Sequence, residues 1–215
     1  VRETLDNFHF KVLEAFRKAG GTEEELKWLT GSALALFPAH REEIRLRLRT
    51  MEEILRRARG RILEVGSGSG LLALALSEKG TVIGVEKRAD FFPFLRELEN
   101  GRLVFIRTDF LSDDVRRDFD TVVFSYILHD LEPESFIKRA AEVLSPGGRV
   151  LVGDFDLNGL REKIKELTGL YGLLVSEELI LGRVTSHGRE CDAFLLVLKK
   201  HGRSENEGCP GSHAR

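Results

Sequence analysis

The 215-residue sequence contains no glutamine, one methionine (Met51), one tryptophan (Trp28) and two cysteines. Two cysteines are too few for a disulfide framework, and Cys191 and Cys209 lack metal-ligand spacing. Cys191 falls in a strand-like run and reads as a buried thiol, whereas Cys209 lies in a polar tail. No apolar run is long enough to span a bilayer and no secretory leader is apparent, so the expected location is cytoplasmic. Charge of neither sign dominates: 33 Lys+Arg meet 35 Asp+Glu, for a net −2. That excludes the global basic field of a nucleic-acid binder. Charged residues are abundant at 32%. Together with the scarcity of thermolabile side chains, this usage predicts a thermophile.

The chain divides into three regions. Residues 1–60 read as helical. Phe8, Val12, Leu13 and Phe16 recur at helical spacing before Gly20-Gly21, and Thr22 with Glu25 predicts a capping box opening a short helix through Trp28. Pro38 precedes a third helix over about 41–59, with a stripe of Ile44, Leu48, Met51, Leu55 and Ala58. Residues 61–200 alternate short apolar strands with helix-length segments, which predicts an α/β domain with a mostly parallel, doubly wound sheet. Strands are expected at 61–65, 81–85, 103–107, 121–124 and 149–153, with helices at 71–78, 90–98, 134–144 and 160–167. Two further runs, 173–181 and 193–198, follow without a helix between them. They predict a hairpin, a seventh strand and an antiparallel end to the sheet. Residues 201–215 read as a polar tail, in which His201 and His213 lack ligand spacing.

The most informative segment joins the strand ending at Val65 to the helix starting at Leu71 through Gly66-Ser67-Gly68-Ser69-Gly70. Glycines at such a junction let the backbone approach a ligand without a Cβ clash, and a helix start offers unpaired N–H groups. Strand, glycine turn and helix make a nucleotide-type site at the carboxyl edge of a parallel sheet. Gly66 and Gly68 fit the first two glycines of the NAD fingerprint, but Leu71 stands where the third is required.

Counted from Glu64, the pattern Glu-x-Gly-x-Gly-x-Gly resembles motif I of the class I S-adenosylmethionine-dependent methyltransferases. Glu86 ends the second strand, Asp109-Phe110 follows the third, and Ser125-Tyr126-Ile127-Leu128-His129-Asp130 follows the fourth. That last run resembles motif IV of the small-molecule branch of the family, of the ubiquinone/menaquinone-biosynthesis type. Leu144-Ser145-Pro146-Gly147-Gly148-Arg149 resembles the family's turn before the fifth strand. The resemblance spans about residues 61–200. It implies S-adenosylmethionine as cofactor, with Glu64 toward the ammonium and Glu86 toward the ribose hydroxyls. It further implies Asp109 and Phe110 at the adenine, and Gly66, Ser67, Gly68, Gly70, Lys87 and Ser125 around the cofactor. As residue types, Glu86 also fits a solvated loop charge and Asp109 a turn cap.

Methyl transfer from a sulfonium is an in-line displacement in which much of the catalysis is positioning. A base is needed only when the acceptor arrives protonated. Tyr126, His129 and Asp130 are the catalytic candidates. Asp130 equally fits the start of the next helix, and His129 an uncharged wall. Asp154 and Asp156 are a second acidic pair, but the companion ligands of a metal site are missing after the fourth strand, so no metal is expected. Arg183, His187 and Arg189 on the expected hairpin fit an anionic substrate or an ordinary polar tip. Trp28, Phe37 and His40 are candidate lid residues. Eight Arg and four Glu between residues 41 and 61 fit either an RNA or acidic partner or an ion-paired solvent face.

The resemblance implies methyl transfer to nitrogen or oxygen, less readily carbon, of a small-molecule acceptor. No Asn/Asp-Pro-Pro-Tyr/Phe follows the fourth strand, against exocyclic-amine nucleic-acid methylases, and no cysteine follows strand four or five, against cytosine C5 enzymes. A protein or tRNA acceptor, or a non-catalytic cofactor-binding subunit, stays open as an alternative. Oligomeric state is not readable.

Overall fold

The computed structural model of the chain describes residues 2–22, 41–112, 114–115, 117–186 and 188–201. Glu25, Trp28, Phe37, Pro38, His40, His187, Cys209 and His213 lie outside the described residues. Among the described residues, two helices, α1 (Arg2–Lys18) and α2 (Arg41–Arg57), precede the alternating elements. These are β1 (Gly60–Val65), α3 (Leu71–Leu76), β2 (Gly80–Glu86), α4 (Phe92–Leu98), β3 (Leu103–Arg107) and β4 (Phe119–Ser125). After them come α5 (Pro133–Val143), β5 (Leu144–Phe155), α6 (Leu160–Leu170), β6 (Leu173–Ser186) and β7 (Arg189–Lys200). None of the described helices is long and apolar enough to cross a membrane.

The seven strands form one sheet in the order β3-β2-β1-β4-β5-β7-β6. The first five are parallel, while β7 inserts between β5 and β6 antiparallel to both, as the unbroken pair of runs predicts. Strand order reverses between β1 and β4. The crevice beyond the carboxyl ends of those two strands is therefore the switch point at which ligands bind in such sheets.

Burial on both faces follows from the alternation of each strand. Ile62, Val123, Leu151, Phe155 and Leu195 point to a core shared with α1, α2, α3 and α4. Leu63, Val65, Val122, Phe124, Val152 and Leu196 point to the opposite core under α5 and α6. Helix α3, Leu-Leu-Ala-Leu-Ala-Leu, is buried all round. It is shorter than expected because the Ser77 hydroxyl donates to the Leu74 carbonyl at its end, 2.7 Å away. The helix expected over 90–98 splits into a 3₁₀ turn (Ala89–Phe91) and α4. Pro93, which has no N–H to donate, is confined to the first turn of α4.

Two further differences matter for the site. The turn expected before strand five is a bulge within β5: pairing with β4 starts at Phe119 with Leu144 and resumes at Thr121 with Arg149, and Gly147 has φ 75°. The buried face of α2 also differs from the expected stripe. Ile44, Leu55 and Ala58 are buried, but so are Leu46, Thr50 and Ile54, while Leu48 and Met51 pack only partly. The reason lies in the sheet below. A Cβ on Gly153 of β5 would stand 2.3 Å from Thr50 Cγ2 and 3.2 Å from Ile54 Cδ1, so α2 rests directly on backbone there. Gly153→Ala should lower stability by about 1–3 kcal/mol through overpacking. A denaturation midpoint equal to that of the parent chain would contradict this docking.

Candidate functional site

At the switch point lies a cavity of about 450 Å³. Its walls bring together Gly66 and Gly68 from the loop after β1, Glu86 and Lys87 from the end of β2, Asp109 and Phe110 after β3, and Tyr126 and Asp130 after β4. These eight residues, predicted from four separated segments, share one wall. Glu64, Ser67, Gly70, Ser125 and His129 are not on that wall. Arg88, Thr108, Ile127, Leu131 and Phe136 line it without having been singled out. Arg88 follows Glu86-Lys87, Thr108 precedes Asp109, and Ile127 and Leu131 lie in or beside the run 125–130, whereas Phe136 looks like any core residue in sequence.

Three loop glycines have different work. Gly70, at φ 73°, caps α3, and a Cβ there would meet Leu95 and Leu98 side chains at 2.8 and 2.9 Å. A Cβ on Gly66 would meet Ile127 at 3.0 Å. At Gly68, φ 51°, a Cβ would meet no protein atom nearer than 4.0 Å and would project into open space. The loop amides are already engaged. Gly66 and Ser67 donate to the Val85 carbonyl (2.8 and 3.1 Å), Gly68 to Glu86 Oε2 (3.0 Å) and Gly70 to the Ser67 carbonyl (2.8 Å). These four loop amides are thus engaged within the protein. With its amides turned onto its own chain, this turn is not the amide nest that binds an anion.

The two glutamates at the glycine turn are buried. Glu86 is 7% exposed, so it is not a solvated loop charge; its second oxygen accepts from the Arg88 amide at 2.9 Å. Each oxygen keeps a lone pair for a further donor. Glu64, deeper, is 3% exposed, and neither its Oε2 nor the buried Ser67 hydroxyl beside it forms a hydrogen bond of good geometry, although the hydroxyl is near enough to act on the carboxyl. Burial pushes the Glu64 carboxyl up to about 8; the Ser67 hydroxyl opposes this and the neighbouring Glu86 charge adds to it. An orphaned carboxylate oxygen in a native interior points to a missing partner. Asp109 is exposed and does form a turn cap, accepting from the Leu111 amide at 2.9 Å. Phe110 is 2% exposed among Phe124 and Phe136, with centroids at 5.7 and 5.9 Å.

Across the cavity, Tyr126 adopts φ 56°, a left-handed backbone found in few non-glycine residues. Its ring packs on Phe155 (4.6 Å between centroids), the Arg47 guanidinium lies against both rings (4.3 and 5.1 Å), and its hydroxyl is 2.6 Å from Thr50 Oγ1. Burial raises its pKa above the ordinary phenol value, against the Thr50 hydrogen bond and the Arg47 charge. Helix α2 thus reaches the loop after β4 through Arg47 and Thr50, neither of which the sequence flagged. Asp130 is not a helix cap: Glu132 precedes α5, with no side-chain cap, and Asp130 ends a 3₁₀ turn over Leu128–Asp130.

Asp154 and Asp156 do not form a pair facing the cavity. Asp154 is fully buried and accepts from the amides of Leu128, His129 and Phe155. Asp156 accepts from the Arg161 amide at 3.0 Å, in the first turn of α6. On the hairpin, Arg183 pairs with Asp192 at 3.1 Å and Arg189 with Asn158. Four arginines of α2 are ion-paired: Arg45 with Glu42, Arg47 with Glu43, and Arg56 and Arg57 with Glu53. That is the ion-paired face anticipated as one of two readings of this helix. Cys191 is buried, its thiol 3.7 Å from the Val184 carbonyl.

Residues 63–152 match a family model described as a methyltransferase domain. An uncharacterized methyltransferase of Bacillus cytotoxicus is 31% identical over 120 residues, covering 54% of this chain and 54% of the relative. The chain thus spans about half the length of the curated relatives it matches. Among solved structures, N-methyltransferase NodS from Bradyrhizobium japonicum WM9 superposes with TM-score 0.60 at 18% identity, over 78% of this chain and 99% of that one. A Burkholderia thailandensis 1,6-didemethyltoxoflavin-N1-methyltransferase, solved with its substrate and S-adenosylhomocysteine, gives 0.58 at 16% identity, over 73% and 78%. At such identities these structures establish the fold.

The orphaned carboxyl predicts a pH dependence. A raised folded-state value contributes stability that is complete below the ordinary value of 4.5 and lost as pH rises through about 8. Glu64→Gln removes this loss, because the amide does not ionise. Without ligand, the variant should match the parent near pH 5 and exceed it at pH 8 by on the order of 2–4 kcal/mol. Denaturant titrations at both pH values measure it, and a variant less stable at pH 8 than the parent would contradict the burial argument.

Proposed function

Since this chain belongs to the class I S-adenosylmethionine-dependent methyltransferases, we propose that it transfers a methyl group to a nitrogen or oxygen of a small-molecule acceptor. The observation that carries the reading is the pair of buried carboxylates, Glu64 and Glu86, around a glycine turn whose engaged amides suit a cofactor without phosphate. When bound, S-adenosylmethionine supplies a methyl on a sulfonium, already activated for displacement.

In this reading Glu64 Oε2 and the Ser67 hydroxyl, both without a formed hydrogen bond and set behind the cavity wall, recognise the ammonium of the methionine half through water or neighbouring backbone. The open space above Gly68 admits its chain. Glu86, held by the Gly68 and Arg88 amides, accepts from the ribose hydroxyls. Asp109 and the apolar wall near Phe110 receive the adenine, and Lys87 and Ser125 flank the site. Tyr126, its hydroxyl held by Thr50 and its ionisation suppressed, acts as a wall that orients the acceptor rather than as a base. Asp130, an exposed carboxylate on the cavity wall, is placed to take the proton leaving an N–H or O–H acceptor. We assign residues 1–60 to the acceptor side, through α2, residues 61–200 to the cofactor, and the remainder to a polar tail.

The test is calorimetric titration with S-adenosylhomocysteine. Gly68→Ala should abolish binding by filling the open approach while costing about 1–2 kcal/mol of stability for its positive φ. Glu86→Ala should weaken binding by on the order of 1.5–3 kcal/mol, the cost of losing a charged acceptor. Parent-like affinity in both variants would overturn the assignment. Tight binding with no methylation of any small acceptor would instead favour the non-catalytic subunit.

A further inference from the structure

Asp130 projects from a loop that would leave it free to swing, since its side chain is 72% exposed. Directly behind it is an imidazole that the proposed chemistry has not used. His129 has a side chain only 4% exposed. Its Nδ1 stands 2.6 Å from Asp154 Oδ1, and its Nε2 stands 3.5 Å from Asp130 Oδ2. Asp154 itself cannot turn away. Besides the imidazole it holds the amides of Leu128 (2.9 Å), His129 (3.3 Å) and Phe155 (2.8 Å), with no exposed surface. One carboxylate thus fixes both the backbone and the ring orientation of the residue next to the candidate base.

We propose that His129 is a positioning residue: as an imidazolium clamped at Nδ1 by Asp154, it directs its Nε2 proton to Asp130 and holds that carboxylate on the wall of the cofactor cavity. This deepens the methyltransferase reading and rests on it. In the cationic ring both nitrogens donate, which matches the two carboxylates facing them. In the neutral ring Nδ1–H still serves Asp154, but Nε2 turns a lone pair toward Asp130 and repels it.

The surroundings favour the cation. Burial opposes the charge and Arg47, facing from α2, repels it, yet the Asp154 hydrogen bond and the charges of Asp154 and Asp130 outweigh both, and the pKa stands above the usual imidazole value. Arg47 is itself paired to Glu43 at 2.9 Å, which tempers its field. The Phe155 ring, its centroid 6.2 Å away, adds no charge. During transfer the acceptor would bond to the methyl as the S–CH3 bond breaks and leaves its electron pair on sulfur, the acceptor proton passes to Asp130, and His129 keeps its own proton throughout. Rising pH through the His129 transition should therefore release Asp130 and lower turnover on the alkaline side.

The test uses the full chain, labelled with ¹⁵N in histidine and ¹³C in the aspartate carboxyls, with the His129 signals assigned by their loss in His129→Asn. Both ring nitrogens should be protonated at neutral pH. Asp130→Asn, an exposed substitution, should shift the imidazole transition to lower pH. Reciprocally, the Asp130 carboxyl should show a step at the His129 transition that disappears in His129→Asn. A ring that merely packs would produce neither change. An unmoved transition in Asp130→Asn, or a singly protonated ring at neutral pH, would overturn the proposal. Titration with S-adenosylhomocysteine on the same samples separates the two failures. Binding without the coupling sinks this inference alone, whereas coupling without binding sinks the methyltransferase reading beneath it.

Discussion

A buried carboxyl oxygen near the end of β1, with no hydrogen bond formed in the protein, is the constraint around which this molecule is organised. Glu64 pairs in register with Gly84 on one side and Val123 on the other, so the sheet itself carries it into the interior. The turn that follows keeps it there. Ser67 is buried and unpartnered beside it, and a Cβ on Gly84 would strike the Ser67 hydroxyl at 2.6 Å. Burying such a group without a partner costs folding free energy, and native proteins retain that cost chiefly where a ligand later removes it.

The contrast with Asp154 shows why environment, rather than residue type, assigns roles. Both are acids near the carboxyl ends of parallel strands, β1 and β5, that flank β4, and both are almost wholly buried. Asp154 is saturated by three amides and one imidazole, so it works as an anchor for the loop after β4. Glu64 is left short, so it works as a receptor. Helix α2 joins these two sides of the crevice. Seated on Gly153, it bonds Tyr126 through Thr50 and covers the ring with Arg47. A segment ahead of the alternating domain thereby shapes the wall opposite the glycine turn.

What the sequence revealed and what it hid divide along physical lines. The alternating architecture, the antiparallel hairpin end and the convergence of Gly66, Gly68, Glu86, Asp109, Tyr126 and Asp130 were legible, because glycine punctuation and strand ends are local signals. The family match fixes the domain, not the quinone-related branch suggested by the residues around His129. The saturation of Asp154 was not legible, since its partners lie 25 and 26 positions away and come from backbone amides as well as a side chain. Nor was the role of Thr50, a polar residue off the expected stripe of α2 whose partner is 76 positions distant. Nor was the engagement of the loop amides, since Gly68 donates to a carboxylate 18 positions on.

The most direct test of the account is the proton balance of cofactor binding. Calorimetry of S-adenosylhomocysteine binding near pH 7, repeated in buffers of different ionisation enthalpy, counts protons exchanged on complex formation. A neutral, buried Glu64 that ionises on meeting the ligand's ammonium should release close to one proton, and Glu64→Gln should abolish that release. Binding with no proton release in the parent chain would contradict the central claim that this carboxyl awaits a cation.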